Sequence, residues 1–343
     1  MPRVTIFGTG LIGASIGLRL HRSAGGADLE IVGSDSFRDH AKAAERAGAI
    51  DLAEPDPRRA VEGASLVVLA TPILAMRELL EEMAPALAEG AIVTDTGSTK
   101  AEVLRWARQW LPPTVSFVGG HPMAGKTETG PDAADATLFE GARWAIVPTR
   151  EAAGDAVEVV SGLARMMGAQ PMFMDAAEHD AYVAAISHLP HLVATALFRL
   201  TRDSEAWPEL STLAAGGFRD TTRLAGTDAT MAHDIAITNR AQIAHWLGRY
   251  REQLRVLQEQ LEDTTDEGAL FRVLSESSFE YDAFRGGAVG RREIDEQMYE
   301  QIPEVAMMDM LLSPTMMERA RELLKRQEER LNDAERRARG DRG

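Results

Sequence analysis

Glycine spacing near the start of the chain restricts its fold more than any other feature. Val4-Thr5-Ile6-Phe7 reads as a short buried strand and runs directly into Gly8-Thr9-Gly10-Leu11-Ile12-Gly13. A helical pattern, Ala14–His21, follows. In that setting each glycine has a mechanical task. Gly8 allows the tight turn, Gly10 lets the backbone approach a pyrophosphate, and Gly13 lets the helix pack on the strand. The pyrophosphate would rest on free N–H groups at the helix N-terminus. The candidate cofactor contacts in this turn are Gly8, Gly10, Leu11, Ile12 and Gly13. The second strand leads into Val32-Gly33-Ser34-Asp35. A carboxylate there would accept ribose hydroxyls and repel a 2′-phosphate, which favours NAD over NADP. Arg38, close by, works against that preference. Ala70-Thr71-Pro72 ends the third strand, where Thr71 and Pro72 are candidates for contact with the ribose and pyrophosphate; a plain strand-to-helix turn explains them equally well.

The first half of the chain repeats this alternation. Apolar runs at Val4–Phe7, Leu29–Val32, Leu66–Ala70, Ala91–Thr94, Val115–Val118, Trp144–Val147 and Pro171–Met174 are separated in several places by amphipathic stretches such as Arg38–Ala47 and Ile73–Leu87. Continuous apolar strands between helices imply a parallel sheet covered on both faces. After Asp175 nearly everything to Thr264 reads as helix. Ala181–Thr201 is apolar around most of its circumference, apart from His188 and His191. Such a helix is buried in a core or against another subunit. The expected architecture is an α/β Rossmann-type doubly wound sheet followed by an all-α dimerisation domain. The expected boundaries are 1–175, 176–285 and a C-terminal extension 286–343. Around that last boundary Ala283–Asp309 reads as irregular, and Pro314–Gly343 reads as a charged helix.

Composition narrows the function. A chain of 343 residues that is 45% hydrophobic can bury two cores. The formal charge of −16 lacks the basic footprint of a nucleic-acid binder. There is no cysteine, which excludes disulfides, thiolate catalysis and cysteine metal sites. No apolar run reaches the roughly 18 residues a membrane span needs, and the N-terminus lacks the pattern of a signal peptide. The expectation is a soluble, cytoplasmic protein whose anionic ligands need locally placed cations.

Chemistry enters at the strand ends. Asp95-Thr96-Gly97-Ser98-Thr99-Lys100 follows the fourth run of the core sheet, and ligands of open α/β sheets bind outside the carboxyl ends of strands. Ser98 is thus placed near the nicotinamide, and can both donate and accept; a helix N-cap role is compatible. His121, in Gly119-Gly120-His121-Pro122-Met123-Ala124-Gly125, sits between glycines and proline at the same edge. Alcohol oxidation needs a proton acceptor while hydride leaves, and histidine suits it. In Ser187-His188-Leu189-Pro190-His191 two histidines share a helix face. No carboxylate motif completes a metal site, so one histidine is expected to line the cleft while the other packs. Pro190 suggests a kink. Gly216-Gly217-Phe218-Arg219-Asp220-Thr221-Thr222-Arg223 reads as a loop whose arginines suit bidentate carboxylate capture, Arg223 above all.

Together these blocks resemble the prephenate and arogenate dehydrogenases of tyrosine biosynthesis, in the family's order and over roughly residues 1–285. The Gly-Gly-His-Pro-Met-Ala-Gly and Ser-His-Leu-Pro-His blocks carry most of the specificity. The resemblance implies NAD-dependent oxidative decarboxylation of prephenate to 4-hydroxyphenylpyruvate, or of arogenate to tyrosine. It implies His121 as acceptor of the hydroxyl proton and Ser98 as its orienting partner. It also implies His191 and Arg223 as substrate contacts, and Gly216 and Gly217 as a segment reaching a partner subunit in a homodimer. Two positions depart from the family: Ala232, where many members carry an aromatic residue, and Glu128, displaced by one from the usual acidic or polar position. Neither a regulatory ACT-type segment nor an N-terminal mutase-like extension is recognisable. Competing readings are dehydrogenation of a related ring acid such as 4-amino-4-deoxyprephenate, another two-domain dehydrogenase of the 3-hydroxyacid or imine-reductase kind, and an NAD-sensing protein without turnover. Retention of Ser98, His121 and Arg223 argues against the last.

Overall fold

Strands that are apolar on both sides must be covered on both faces, and β1 (Arg3–Phe7) shows how this chain does it. Val4 and Ile6 enter one core and Phe7 the other, all of them buried. In the computed structural model, which describes residues 2–24, 29–126 and 128–286, the chain divides into two compact units, residues 1–255 and 256–343. The first unit holds β2 (Glu30–Ser34), β3 (Leu52–Ala53), β4 (Leu66–Leu69), β5 (Ile92–Asp95), β6 (Ser116–Pro122), β7 (Arg143–Pro148) and β8 (Gln170–Phe173). They form one sheet in the order β3-β2-β1-β4-β5-β6-β7-β8. The first six are parallel. β7 runs antiparallel to β6, and β8 lies parallel to β7. The order of the parallel six is that of a dinucleotide-binding sheet, with its switch point between β1 and β4.

Six helices belong to the sheet's crossovers: α1 (Leu11–Ala24), α2 (Arg38–Arg46), α3 (Pro57–Ala60), α4 (Ile73–Met83), α5 (Ala101–Trp110) and α6 (Gly154–Met166). Two strands differ from the sequence reading. β3 has only two residues and a half-exposed Leu52, too short for any periodicity to reveal. β6 continues through Gly119-Gly120-His121-Pro122, beyond the Val115–Val118 run read from the sequence. Antiparallel pairing with β7 sustains it, with His121 opposite Ala145 and Pro122 opposite Trp144. Gly120 is there because the neighbouring strand comes too close for a side chain. A Cβ at that position would lie 2.5 Å from the Asp95 carbonyl oxygen.

The helical region continues with α7 (Ala176–Val183), a single π-helical turn (Ala184–His188) and α8 (Leu189–Arg202). These three run on as one helix, Ala176–Arg202, of 27 residues. By length and composition alone it is apolar enough to cross a membrane, although no uninterrupted apolar run announces this. Pro190 lies in the first turn of α8. Its ring removes one N–H and crowds the carbonyl four residues back, and the preceding π turn accommodates both. Instead of being buried all round, the helix leaves Ile186 77% and Leu200 75% exposed. Of the two burial options, a core or another subunit, the chain's own core is therefore not the answer for this face.

α9 (Trp207–Leu213), α10 (Gly216–Thr222) and α11 (Ala229–Thr238) follow, then α12 (Arg240–Glu262), which contains the boundary between the two units. α13 (Glu267–Arg285) lies in the second unit. The segment read as a loop at Gly216–Arg223 is instead α10, continued by a 3-10 turn from Arg223 to Gly226. The anticipated irregular segment begins inside α13, at Ala283, and the rest of it, with the charged helix Pro314–Gly343, lies outside the described residues.

The helical part of the first unit is tied to the sheet by carboxylates placed on helix ends. α4 and α5 have no side-chain cap of their own. Asp234 of α11 accepts from the Leu74 N–H at 3.0 Å. Asp180 of α7 accepts from Lys100 N at 2.8 Å and Ala101 N at 2.9 Å. Each satisfies otherwise orphaned donors at the positive end of a helix dipole. Thr99 and Thr238 share a buried hydrogen bond of 2.8 Å beside them. Replacing Asp234 by Ala should lower stability by about 1–2 kcal/mol, the range of a lost cap. Its urea midpoint should fall with an unchanged slope; a wild-type midpoint would show that the contact does not hold the segment.

Candidate active site

Three turns meet at the carboxyl edge of the parallel strands: those after β1, β4 and β5. The first is a cradle. Gly8 adopts φ +82°, and a Cβ there would strike the Ala70 carbonyl oxygen at 2.4 Å. It therefore needs glycine both for its conformation and for its contact with the β4 turn. Thr71 lines that same contact, with its methyl group 3.0 Å from such a Cβ. A Cβ on Gly13 would sit 1.9 Å from the Gly8 carbonyl oxygen, so helix and turn are in direct backbone contact. A Cβ on Gly10 would meet nothing within 4 Å among the described residues. The middle glycine faces open space, as a site for an approaching pyrophosphate requires. The first turn of α1, with Leu11 and Ile12, carries no acidic residue. Its N–H groups are left to an anion.

Asp35 follows β2 with its side chain 8% exposed. One oxygen accepts from Thr9 N at 2.8 Å and Thr9 Oγ1 at 3.1 Å, the other from Phe37 N at 2.8 Å. The carboxylate thus braces the glycine turn. Of its roughly four acceptor positions, three are taken, which leaves less for a ribose than the motif alone suggests. Arg38 is exposed, and Pro72 stands at the N-cap position of α4 without a side-chain cap.

The candidate chemical centre lies at β5, β6 and α7. His121 Nδ1 is 2.9 Å from His179 Nε2. His179 Nδ1 is 2.8 Å from Asp180 Oδ1. The Asp180 carboxylate can only accept, so His179 Nδ1 carries a proton and donates. In the neutral ring His179 Nε2 must then accept, so His121 donates through Nδ1–H. That leaves His121 Nε2 with a lone pair and no proton: an acceptor whose tautomer is set by the two residues behind it. The His121 pKa lies well below the ordinary histidine value. Burial is the main cause, and His179, Lys100 and His188 add to it. The ring stays unprotonated at neutral pH. Its own surface remains partly accessible, whereas His179 is fully buried.

Beneath His121 lies a buried ion pair. Lys100 Nζ bonds to Asp95 and donates to the Gly120 carbonyl at 2.7 Å. Asp95 also accepts from Gly97 N at 2.9 Å and Gly120 N at 3.2 Å. Burial lowers the Lys100 pKa, and Asp95 opposes that shift.

Of the residues singled out in the sequence, Ser98 lies half-buried in the β5–α5 turn, and its hydroxyl makes no hydrogen bond among the described residues. It does not cap α5; Asp180 does. His191 is half-buried, with Nδ1 3.1 Å from Thr227 Oγ1. Its pKa is lowered by burial and by the nearby Arg223, against the Leu224 backbone. Arg223 is exposed and forms no ion pair among the described residues. Gly216 and Gly217 open α10 with nothing within 4 Å of a Cβ at either. His233 is mostly exposed, 3.5 Å from Asp234. The sequence reading passed over His179, Asp180 and Asn239, and it quoted Asp95 and Lys100 only as the ends of the Ser98 block. For the first two the local hint was a His-Asp pair near the start of a largely apolar helix.

A parallel sheet of this order, a glycine cradle at its first turn and an unprotonated histidine at the same edge define a Rossmann-type nucleotide-binding protein with a helical segment appended. The chain belongs to the prephenate dehydrogenase family. The family's model "Prephenate dehydrogenase, nucleotide-binding domain" matches residues 16–172, and "Prephenate dehydrogenase, dimerization domain" matches residues 175–276. A prephenate dehydrogenase of Bacillus subtilis is 38% identical over 254 residues, 74% of this chain and 67% of that protein. The chain thus spans about two thirds of that relative's length. The crystal structure of prephenate dehydrogenase from A. aeolicus, in complex with hydroxyphenyl propionate and NAD+, is similar with a TM-score of 0.76 and 29% identity, covering 83% of this chain and 98% of that one. An arogenate dehydrogenase structure from Synechocystis has a TM-score of 0.70 and 28% identity, covering 82% of this chain and 99% of that one.

The cradle makes a paired prediction. Gly10→Ala should fold with wild-type thermal stability yet bind NAD+ at least about tenfold more weakly, because its methyl group enters the open space. Gly13→Ala should be strongly destabilised, because its methyl group would overlap a backbone oxygen. Calorimetry and NAD+ titration of both variants distinguish these outcomes.

Proposed function

We propose that the protein is an NAD-dependent dehydrogenase that oxidatively decarboxylates prephenate or arogenate, yielding 4-hydroxyphenylpyruvate or tyrosine in tyrosine biosynthesis. The observation that carries this reading is the Asp180–His179–His121 chain, which ends on an unprotonated Nε2 at the edge where the cradle opens. NAD, when bound, would supply the hydride acceptor for the ring carbinol carbon. His121 Nε2 takes the hydroxyl proton, and Ser98 orients that hydroxyl. As the C–O bond gains double-bond character, the bond to the ring carboxylate breaks and carbon dioxide leaves. The electron pair enters the ring, and the oxygen recovers a proton as the ring becomes a phenol. Arg223 and His191 bind the substrate, with Arg223 supplying the cation that an anionic ligand needs on a chain of net charge −16. The glycine turn, Leu11, Ile12, Asp35, Thr71 and Pro72 hold NAD.

The same reading divides the chain at 175/176 and 285/286, makes it a homodimer through the helical segment with Gly216 and Gly217 turned to the partner, and places it in the cytoplasm. The exposed apolar face of the Ala176–Arg202 helix, within the stretch matched by the dimerization model, supports the dimer.

Following NADH absorbance with prephenate and with arogenate tests the activity. No turnover of either by protein that binds NAD+ would sink it. His121→Asn should lower kcat by about 10²–10⁴-fold. Asp180→Asn should lower kcat by about 10²-fold or more, because an amide no longer fixes the His179 tautomer. Arg223→Ala should mainly raise KM. The pH dependence follows from the depressed His121 pKa. Protonation removes the acceptor, so kcat/KM should hold as pH falls through 6.5 and drop only below it. An acid limb centred at or above the ordinary histidine value would contradict His121 as the base.

A further inference from the structure

His188 has no part in the reaction outlined above, yet its ring is held more tightly than packing requires. It ends the π-helical turn, is 1% exposed and lies among residues of the site. Single π turns give up regular hydrogen bonding and recur where function needs a side chain re-aimed. Asn239, between α11 and α12, fixes the ring from behind. Its Nδ2 donates to the Asp180 carbonyl at 2.7 Å and stands 3.2 Å from His188 Nδ1. A backbone carbonyl only accepts, so the amide cannot be turned around, and its second N–H faces His188. His188 Nδ1 therefore accepts, and the ring proton is on Nε2. That Nε2 is buried and makes no hydrogen bond among the described residues. A buried donor that makes no hydrogen bond in a native fold needs a reason. The Ser98 backbone, His179 and His191 surround the ring closely enough to bear on its charge, and His121 in turn feels His188. The Ser98 backbone favours the ring proton without reaching hydrogen-bond geometry at Nε2.

We propose that the His188 Nε2–H is a preset hydrogen-bond donor for an oxygen atom of a ligand bound at the Ser98 turn, with Asn239 fixing its tautomer. The location of the ligand rests on the reading above; the tautomer rests on the contacts of Asn239 alone. An oxygen acceptor is the chemistry required, and the nicotinamide carboxamide and an oxygen of the ring acid both supply it. A neutral donor at this place does not compete with His121 for the hydroxyl proton. Burial, with smaller effects from His179 and His191, holds the His188 pKa to about 4 against Asp180 and the Ser98 backbone.

The test uses the full-length protein, with NAD+ alone and with NAD+ plus 4-hydroxyphenylpropionate as probes. His188→Gln keeps a side-chain N–H donor and should keep both affinities within about threefold. His188→Leu keeps the apolar packing and should weaken one of them by about tenfold or more. A loss already seen with NAD+ alone assigns the acceptor to the cofactor, and a loss only for the ring acid assigns it to the substrate. Long-range proton–nitrogen NMR at pH 7 should show the His188 proton on Nε2. Wild-type affinities in His188→Leu, equal losses in Gln and Leu, or a proton on Nδ1 would each overturn the proposal. Wild-type protein that binds neither probe overturns it together with the parent reading. Protein that binds both without turning over prephenate or arogenate sinks the parent reading alone.

Discussion

The carboxylate of Asp180 is the constraint on which the rest of the site depends. Its two oxygens accept from Lys100 N, Ala101 N and His179 Nδ1. The first two contacts seat the helical segment on the N-terminus of α5, where the helix dipole favours an anion. The third orients the ring that in turn orients His121. Docking of the helical segment and orientation of the His179–His121 pair thus share one buried group. Satisfied on this many sides, the carboxylate has the hydrogen bonds that a buried charge needs. Asp234 repeats the docking half of this arrangement at α4. In both cases the sheet domain presents an uncapped helix end, and the helical segment brings the cap.

Below this lies the Lys100–Asp95 pair, which joins the ends of β5 and β6. A buried ion pair is weak evidence for stability, because desolvation offsets its attraction. Its geometric effect is clearer. Asp95 holds the Gly97 and Gly120 N–H groups, and Lys100 holds the Gly120 carbonyl, so the strand carrying His121 is fixed on both backbone polar groups of the preceding residue. The glycine at 120 allows the two strand ends to come this close. The Lys100 charge also disfavours a proton on His121, which suits the acceptor role proposed for it.

The long helix through α7 and α8 has two faces with different fates. Asp180, His179 and His188 lie inward and are hydrogen-bonded to α5, β6 or Asn239. Ile186 and Leu200 remain exposed. An apolar face of this kind is a typical interface between subunits, and the family model covering this stretch is that of a dimerization domain.

Much of this was legible locally. The spacing of Gly8, Gly10 and Gly13 after an apolar run fixes a strand–turn–helix unit, and the steric roles of all three glycines follow from that spacing alone. The alternating runs give the sheet its class, and the residues at strand ends mark Ser98 and His121. Other features depend on distant parts of the chain. His121 and His179 are 58 positions apart, Lys100 and Asp180 80, and Thr99 and Thr238 139. No local pattern encodes which of these meet. β6 runs on through two glycines and a proline because β7 pairs with it, and Gly216–Thr222 is helical although its composition suggests a loop. The sequence by itself determined the glycine cradle and the residue proposed as proton acceptor, because short-range sterics and residue chemistry suffice for both. Only the tertiary structure decided that acceptor's tautomer, because hydrogen-bond direction is set by partners that the fold brings together.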